Sequence, residues 1–190
     1  MKKLLAILLA SMLLVCGCSK NNISENNAGG VSADSKSEEQ KITADLFAMD
    51  TYMQVTAYGK NANKAVEQAK KRINQLDSML STGKKESEVS KLNSEKTLTL
   101  SEDVGNIMER SLEIYKSTKG VFNPAIYPVM QAWGFDTKKY KVPSKENLQA
   151  TLKNTDASKI KYNKSSRVAT FENRKMEIDF GGIAKGYTSA

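Results

Sequence analysis

The residues with the clearest chemical potential lie near the end of the chain, where an aspartate precedes a pair of glycines. Asp179 ends a strand-like run, Gly181 and Gly182 form a turn, and a helix that begins near Ile183 carries Lys185. Glycines let backbone N–H and carbonyl groups approach a ligand closely, and a helix N-terminus attracts phosphate. Asp179 is suited to bind a ring N–H, a hydroxyl or a metal. The alternative is an ordinary strand-to-helix turn with a packing glycine.

Two further segments are candidates for binding, because they contain polar or rigid residues and lie between regular elements. Residues 49–51 (Met-Asp-Thr) interrupt a strand pattern, where a simple turn is the alternative to a binding role. Residues 122–128 hold two of the three prolines, and Trp133-Gly134-Phe135 contains the only tryptophan. Rigid backbone and flat apolar side chains suit the wall of a pocket for a planar ligand. A rigid loop pinned by core aromatics is equally consistent with this pattern.

The chain of 190 residues has no histidine, and this excludes several catalytic mechanisms. Ser-His-Asp and Cys-His nucleophiles, histidine metal clusters and imidazole bases are impossible without it. Acid–base chemistry must come from carboxylates, Lys, Tyr or a metal-bound water. The formal charge is +8, but 25 of the 29 basic residues are Lys, and they are scattered. Because nucleic-acid sites favour Arg, no nucleic-acid partner is expected.

The N-terminal residues have the pattern of an export signal. Lys2 and Lys3 precede an apolar run over residues 4–15. At about 1.5 Å per residue this run is too short to span a bilayer, and its length is typical of a signal peptide. We therefore expect residues 1–17 to be removed as a lipoprotein signal.

The residues after the signal resemble a lipid attachment site followed by a tether. Cys18 follows a small glycine, as in a bacterial lipobox, whereas a disulfide to Cys16 would be severely strained. Residues 18–41 are rich in Ser, Asn, Gly and charge, which predicts a flexible tether behind the lipidated Cys18. The protein is expected to be exported and anchored by its lipid to the extracytoplasmic side of a bacterial membrane.

Hydrophobic periodicity indicates an α+β domain over residues 42–190, with strands at both ends and helices between them. Strands are predicted from alternation and helices from apolar residues three or four apart, with Ser101 as one N-cap. The predicted strands are 42–58, broken around 49–50, then 160–162, 167–171 and 175–179; the predicted helices are 61–80, 101–119 and 144–154.

In combination, four motifs resemble the ApbE-type FAD:protein FMN transferases. They occur in the family's order, from about residue 45 to the last residue: Met49-Asp50-Thr51, residues 87–93 (SEVSKLN), Asn123-Pro124-Ala125 with Trp133-Gly134-Phe135, and residues 179–187 (DFGGIAKGY). The resemblance implies an ApbE-like, T-fold-related domain. It also implies magnesium-dependent transfer of FMN from FAD to a Thr or Ser hydroxyl of an exported or membrane-associated acceptor protein, with release of AMP.

The resemblance also assigns residues to the site. Those implied to bind the flavin nucleotide are Met49, Asn123, Pro124, Ala125, Asp179 and Lys185, and Gly182 is implied to offer a backbone carbonyl to Mg²⁺. The family more often has Asp where Asn123 stands. No protein nucleophile is implied, since a metal and electrostatic stabilisation carry the reaction.

Two departures from the family pattern bear on this assignment. Gly83 stands where many relatives carry an aromatic after the Ser-Thr pair, which removes one expected flavin-stacking contact. The family pattern continues past Ala190 with Asp and Thr side chains that complete the metal site. Residues 42–190 are therefore expected to be the N-terminal part of a domain truncated at its C-terminus. The alternatives are an FAD-binding or FAD-hydrolysing surface lipoprotein, an inactive truncated remnant, or a structural lipoprotein.

Overall fold

The computed structural model describes residues 40–190, so the predicted signal peptide, Cys18 and nearly all of the tether lie outside the described residues. The strands are β1 Lys41–Ala48, β2 Thr51–Tyr58, β3 Thr97–Thr99, β4 Ile160–Asn163 and β5 Val168–Phe171. The helices are α1 Ala62–Leu80, α2 Glu88–Glu95, α3 Glu102–Ser117, α4 Tyr127–Ala132, α5 Lys145–Leu152 and α6 Gly181–Ser189, with 3₁₀ turns at Pro124–Ile126 and Ala157–Lys159.

The first two strands form the hairpin that their alternating sequence predicts. β1 and β2 pair antiparallel from Lys41 opposite Tyr58 to Ala48 opposite Thr51. Alternate residues point to the two faces of this sheet, and the more buried face packs against α1. A turn of only two residues joins the strands at 49–50, where the sequence pattern breaks.

Helices α1 and α3 also follow the predictions, because each carries a continuous apolar stripe. Ser101 caps α3 as expected, its hydroxyl accepting the Val104 N–H at 3.5 Å. Helices α2 and α4 were not predicted, although Ser87 caps α2 by accepting the Ser90 N–H at 2.9 Å. None of the helices described in residues 40–190 combines the length and the apolar character needed to cross a membrane.

A second sheet of three antiparallel strands has the order β3-β5-β4. The hairpin of β4 and β5, with a turn after Asn163, is the predicted one. β3 has only three residues, too few for its alternation to stand out in the sequence. The main core lies among this sheet, α1, α2, α3 and the start of α6, and it includes Leu76, Leu92 and Ile107.

The predicted strand at 175–179 is wrong. Within this segment the backbone of Ile178 bonds to an amide side chain: Asn93 Nδ2 donates to the Ile178 carbonyl at 2.9 Å, and the Ile178 N–H donates to Asn93 Oδ1 at 2.7 Å. The Asp179 N–H donates to the Pro124 carbonyl at 2.9 Å. The backbone polar groups of this segment therefore find partners without a neighbouring strand.

One other contact helps to attach residues 176–180. Lys96, at the C-terminal end of α2, donates to the carbonyl of Met176 at 2.9 Å. Helix α6 begins at Gly181 and not near Ile183, so the two glycines occupy its first turn instead of a preceding loop. One end of α2 thus fixes the chain that leads into α6.

We expect Asn93→Ala to lower the free energy of unfolding by about 2–4 kcal/mol, because it leaves the buried N–H and the buried carbonyl of Ile178 without hydrogen-bond partners. Urea denaturation of the full chain measures this loss. Ser94→Ala, on the exposed side of the same helix, is the matched control and should change stability by less than about 0.5 kcal/mol. Equal stabilities for the two variants would show that the Asn93 pairing contributes nothing.

Candidate functional site

A cleft of about 330 Å³ lies where four parts of the fold meet. It is bordered by the β1–β2 turn, by the end of α1 with the loop after it, by the start of α6, and by residues of α4 and the loop that follows α4. Polar lining residues include Asp50, Asp77, Ser81, Thr82, Asp136, Lys138 and Asp179, and apolar ones include Met49, Leu80, Tyr127, Phe135, Phe180 and Ala184. Of the predicted site residues, the structure brings Met49 and Asp179 together here.

Met49 reaches the cleft from a turn in an unfavourable backbone conformation. Met49 and Asp50 have φ angles of +52° and +51°. A two-residue hairpin turn of this kind normally uses Asn-Gly, and left-handed backbone costs other residues about 1–2 kcal/mol each. The turn is held by Asp77 of α1, whose Oδ1 accepts the Met49 N–H at 2.8 Å. The Met49 side chain contacts α6 through Thr188, whose hydroxyl lies 3.6 Å from the sulfur.

Asp77 also fixes the loop that follows α1. Its Oδ2 lies 2.6 Å from Lys84 Nζ. Ser90 Oγ of α2 donates to the carbonyls of Ser81 at 3.1 Å and Thr82 at 3.0 Å. These bonds give the loop a defined path along the cleft.

Asp179 lies at the opposite wall, half-buried, two residues before Gly181, where helix α6 begins. Its Oδ1 accepts the Gly181 N–H at 2.7 Å. Burial raises the pKa of this carboxyl, and the Gly181 hydrogen bond only partly offsets that effect. A carboxyl of this kind can accept an N–H or O–H group of a ligand and can hold a proton more readily than an exposed one.

Most of the first amides of α6 are hydrogen-bonded within the chain. The N–H groups of Ile183 and Ala184 bond to the Phe180 carbonyl, and the Gly181 N–H is taken by Asp179. These amides already have partners within the chain. Gly182 lies in this first turn on another face, where an added Cβ would meet a Phe122 ring carbon at 3.1 Å.

The remaining residues assigned by resemblance lie outside the lining of this cleft. Pro124 and Ala125 are buried. Asn123 donates to the Thr155 carbonyl at 2.6 Å and accepts the Ala125 N–H at 2.9 Å, so it shapes the turn that holds Asp179 through the Pro124 carbonyl. Lys185 is exposed on α6. A direct role for these four residues in nucleotide binding stays a prediction.

The charge of the cleft favours ligand groups that donate hydrogen bonds. It contains the carboxylates of Asp50, Asp77, Asp136 and Asp179 against the ammonium of Lys138. Carboxylate oxygens are also the ligand type that Mg²⁺ prefers. Within residues 40–190, however, no three acidic or Cys side chains converge as a metal site. The Gly182 carbonyl remains a predicted ligand only.

A second cleft of about 420 Å³ adjoins the first across Thr82, Gly83 and Tyr127, which line both. It is mainly polar and includes Gln131 and Glu177. Burial raises the pKa of the Tyr127 hydroxyl. Tyr127 belongs to the segment 122–128, whose rigid backbone and flat side chains suit the wall of a pocket, whereas no pattern assigned Thr82 to the site. The Ser-Thr pair that ends the α1 pattern was the available signal for Thr82.

Comparison with known proteins matches the same part of the chain. A sequence model described as the ApbE family covers residues 49–190. The FAD:protein FMN transferase of Haemophilus influenzae is 26% identical over 141 residues, which are 70% of this chain and 40% of that protein. That of Escherichia coli K12 is 25% identical over 151 residues, 74% of this chain and 43% of that protein. The chain therefore spans less than half the length of these relatives.

Solved structures show the fold. The ApbE protein of Thermotoga maritima matches with a TM-score of 0.73 and 23% identity, over 78% of this chain and 50% of that one. The flavin transferase ApbE of Vibrio cholerae matches with a TM-score of 0.71 and 17% identity, over 79% of this chain and 51% of that one. The expected α+β, ApbE-like fold is thus confirmed.

The raised pKa of Asp179 predicts a pH-dependent stability. In the folded chain the Asp179 carboxyl keeps its proton to a higher pH than in the unfolded chain, where its pKa is about 3.9. The protonated carboxyl therefore contributes to the free energy of unfolding at low pH, and this contribution is lost as the pH rises through the folded pKa. We expect Asp179→Asn to gain stability relative to the wild type at pH 7, and to gain less below about pH 4. Urea denaturation across pH measures the difference. The exposed Asp136→Asn is the control, and a gain for Asp179→Asn that does not vary with pH would contradict the prediction.

Proposed function

The chain belongs to the ApbE family, and from this we propose that it serves the transfer of FMN from FAD to a Thr or Ser hydroxyl of an acceptor protein. The observation that carries the proposal is the family match over 49–190, supported by curated relatives named FAD:protein FMN transferase. The cleft bordered by Met49 and Asp179 lies within that matched region. Because the chain spans less than half of those relatives, its activity, substrate and partner are all part of the proposal.

The proposed reaction is a phosphoryl-type transfer. The acceptor hydroxyl oxygen forms a bond to the phosphorus of the FMN half, and the bond from that phosphorus to the bridging oxygen breaks. AMP leaves with the bridging oxygen, and the hydroxyl proton passes to a nearby base or to water. Catalysis of such a step depends on positioning and on stabilising negative charge, so the absence of histidine from the sequence does not oppose it.

The residues of the cleft contribute binding and orientation in this proposal. Met49 offers a polarizable apolar surface to a flat ring, and its turn is fixed by Asp77. Asp179 accepts an N–H or O–H group of the flavin nucleotide. Bound Mg²⁺ would neutralise pyrophosphate charge, but no step assigned here to the described residues depends on it.

Incubation of the full chain with FAD, Mg²⁺ and a Thr-containing target protein tests the activity. We expect flavin fluorescence that remains on the target after denaturation, together with released AMP. Free FMN and AMP without a labelled target would instead favour the FAD-hydrolysing alternative. Binding of FAD without AMP release would make the chain a flavin-binding protein and contradict the transferase proposal.

Asp179→Ala should weaken FAD binding by at least about tenfold, since a hydrogen bond to a charged group contributes about 1.5–3 kcal/mol. Titration of FAD fluorescence measures the dissociation constant. Glu177→Ala is the matched control, because Glu177 lies two residues earlier and lines the adjoining cleft. Weaker binding by Glu177→Ala with no effect of Asp179→Ala would place the nucleotide in the adjoining cleft and refute the site assignment.

A further inference from the structure

Exposed large apolar side chains concentrate in one loop next to the cleft. Nine such residues are exposed in the part of the chain that the structure describes, and four fall between 133 and 142. Their exposed fractions are 36% for Trp133, 54% for Phe135, 68% for Tyr140 and 82% for Val142. Residues 133–145 are called the aromatic loop below. Such a concentration marks an interaction surface more strongly than scattered single residues do.

The aromatic loop has a defined shape. The Lys141 N–H donates to the Trp133 carbonyl at 3.0 Å, which ties the start of the loop to its returning side. Gly134 has a φ of +79°, and an added Cβ there would lie 2.0 Å from the Lys139 carbonyl oxygen, so the two sides pass in close contact. The rings of Phe135 and Tyr140 meet edge to face, with centroids 5.5 Å apart. Binding through these side chains therefore loses little conformational entropy.

The same loop is basic. Residues 137–145 contain four lysines and no acidic residue, and Asp136 is the single acid in the whole loop. Lys138 lies 3.8 Å from Asp50, an exposed pair that contributes little. Lysines thus alternate with exposed apolar side chains around Tyr140.

We propose that the aromatic loop binds the surface of an anionic lipid bilayer. Its aromatic and valine side chains enter the interface, while the lysines remain at the headgroup phosphates, each adding about 1 kcal/mol near an anionic surface. A protein partner fits less well, because lysine is depleted in protein interfaces. Phe135, Asp136 and Lys138 also line the cleft, so this binding would bring the cleft close to the membrane surface. The inference does not depend on the proposed activity.

Trp133 is the only tryptophan of the chain, so its fluorescence reports on this loop alone. The full chain is mixed with vesicles of phosphatidylcholine, or of phosphatidylcholine and phosphatidylglycerol in equal parts, each with or without brominated lipid. We expect a blue shift of Trp133 emission and quenching by brominated lipid with the anionic vesicles, both weakened by salt. Co-sedimentation with the vesicles is measured on the same samples. If the chain sediments with the anionic vesicles while the Trp133 emission stays unchanged, its apolar N-terminal residues bind without the loop, and the proposal is overturned.

Variants separate the charge from the apolar contact. Lys139→Gln and Lys141→Gln should each weaken partitioning to anionic vesicles roughly fivefold. Val142→Ser should reduce quenching of Trp133, whereas Val121→Ser, at a valine that is 91% exposed elsewhere, should not. Circular dichroism checks that each variant is folded. Equal responses to neutral and anionic vesicles, or equal effects of the two valine variants, would refute lipid binding by the loop. The proposal would also be refuted if an added acidic protein shifted the Trp133 emission and the vesicles did not.

Discussion

The candidate site depends on the pairing between one amide side chain and one backbone residue. Asn93 satisfies both the N–H and the carbonyl of Ile178, which are buried 85 positions away along the chain. In a β-strand, a neighbouring strand would bond to these two backbone groups, but here a side chain of helix α2 does so. Since Asp179 is the next residue, and its own N–H is held by the Pro124 carbonyl, this pairing places its carboxyl at the cleft and starts α6.

The opposite wall is built by a different balance of forces. The β1–β2 turn adopts left-handed backbone at Met49 and Asp50, which is unfavourable for Met49 in particular. Asp77 offsets part of this cost by accepting the Met49 N–H, and it also contacts Lys84. Strained backbone that the surrounding structure holds in place is typical of binding sites. Each wall therefore places its key residue through a helix side chain that bonds to a distant backbone group.

The features that the sequence predicted are those set by local patterns. The alternation of β1 and β2, the apolar stripe of α1 and the cap at Ser101 are each readable within a few residues, and all were found. The strand predicted at 175–179 failed because its alternation was local, whereas the partner of Ile178 is a single distant Asn93. Met49 and Asp179 stood out by their motifs. Asp77 did not, because only the folded chain brings it to the cleft.

Amide hydrogen exchange of the full chain tests most directly the claim that side chains hold the segment before α6. We expect slow exchange at Ile178 and Asp179, although neither lies in a regular strand, and much faster exchange at both in Asn93→Ala. The exposed Lys175 N–H, bonded only to its neighbour Asn173 at 2.9 Å, should exchange quickly in both proteins. Exchange at Ile178 as fast as at Lys175 in the unsubstituted chain would show that the Asn93 pairing does not hold this segment.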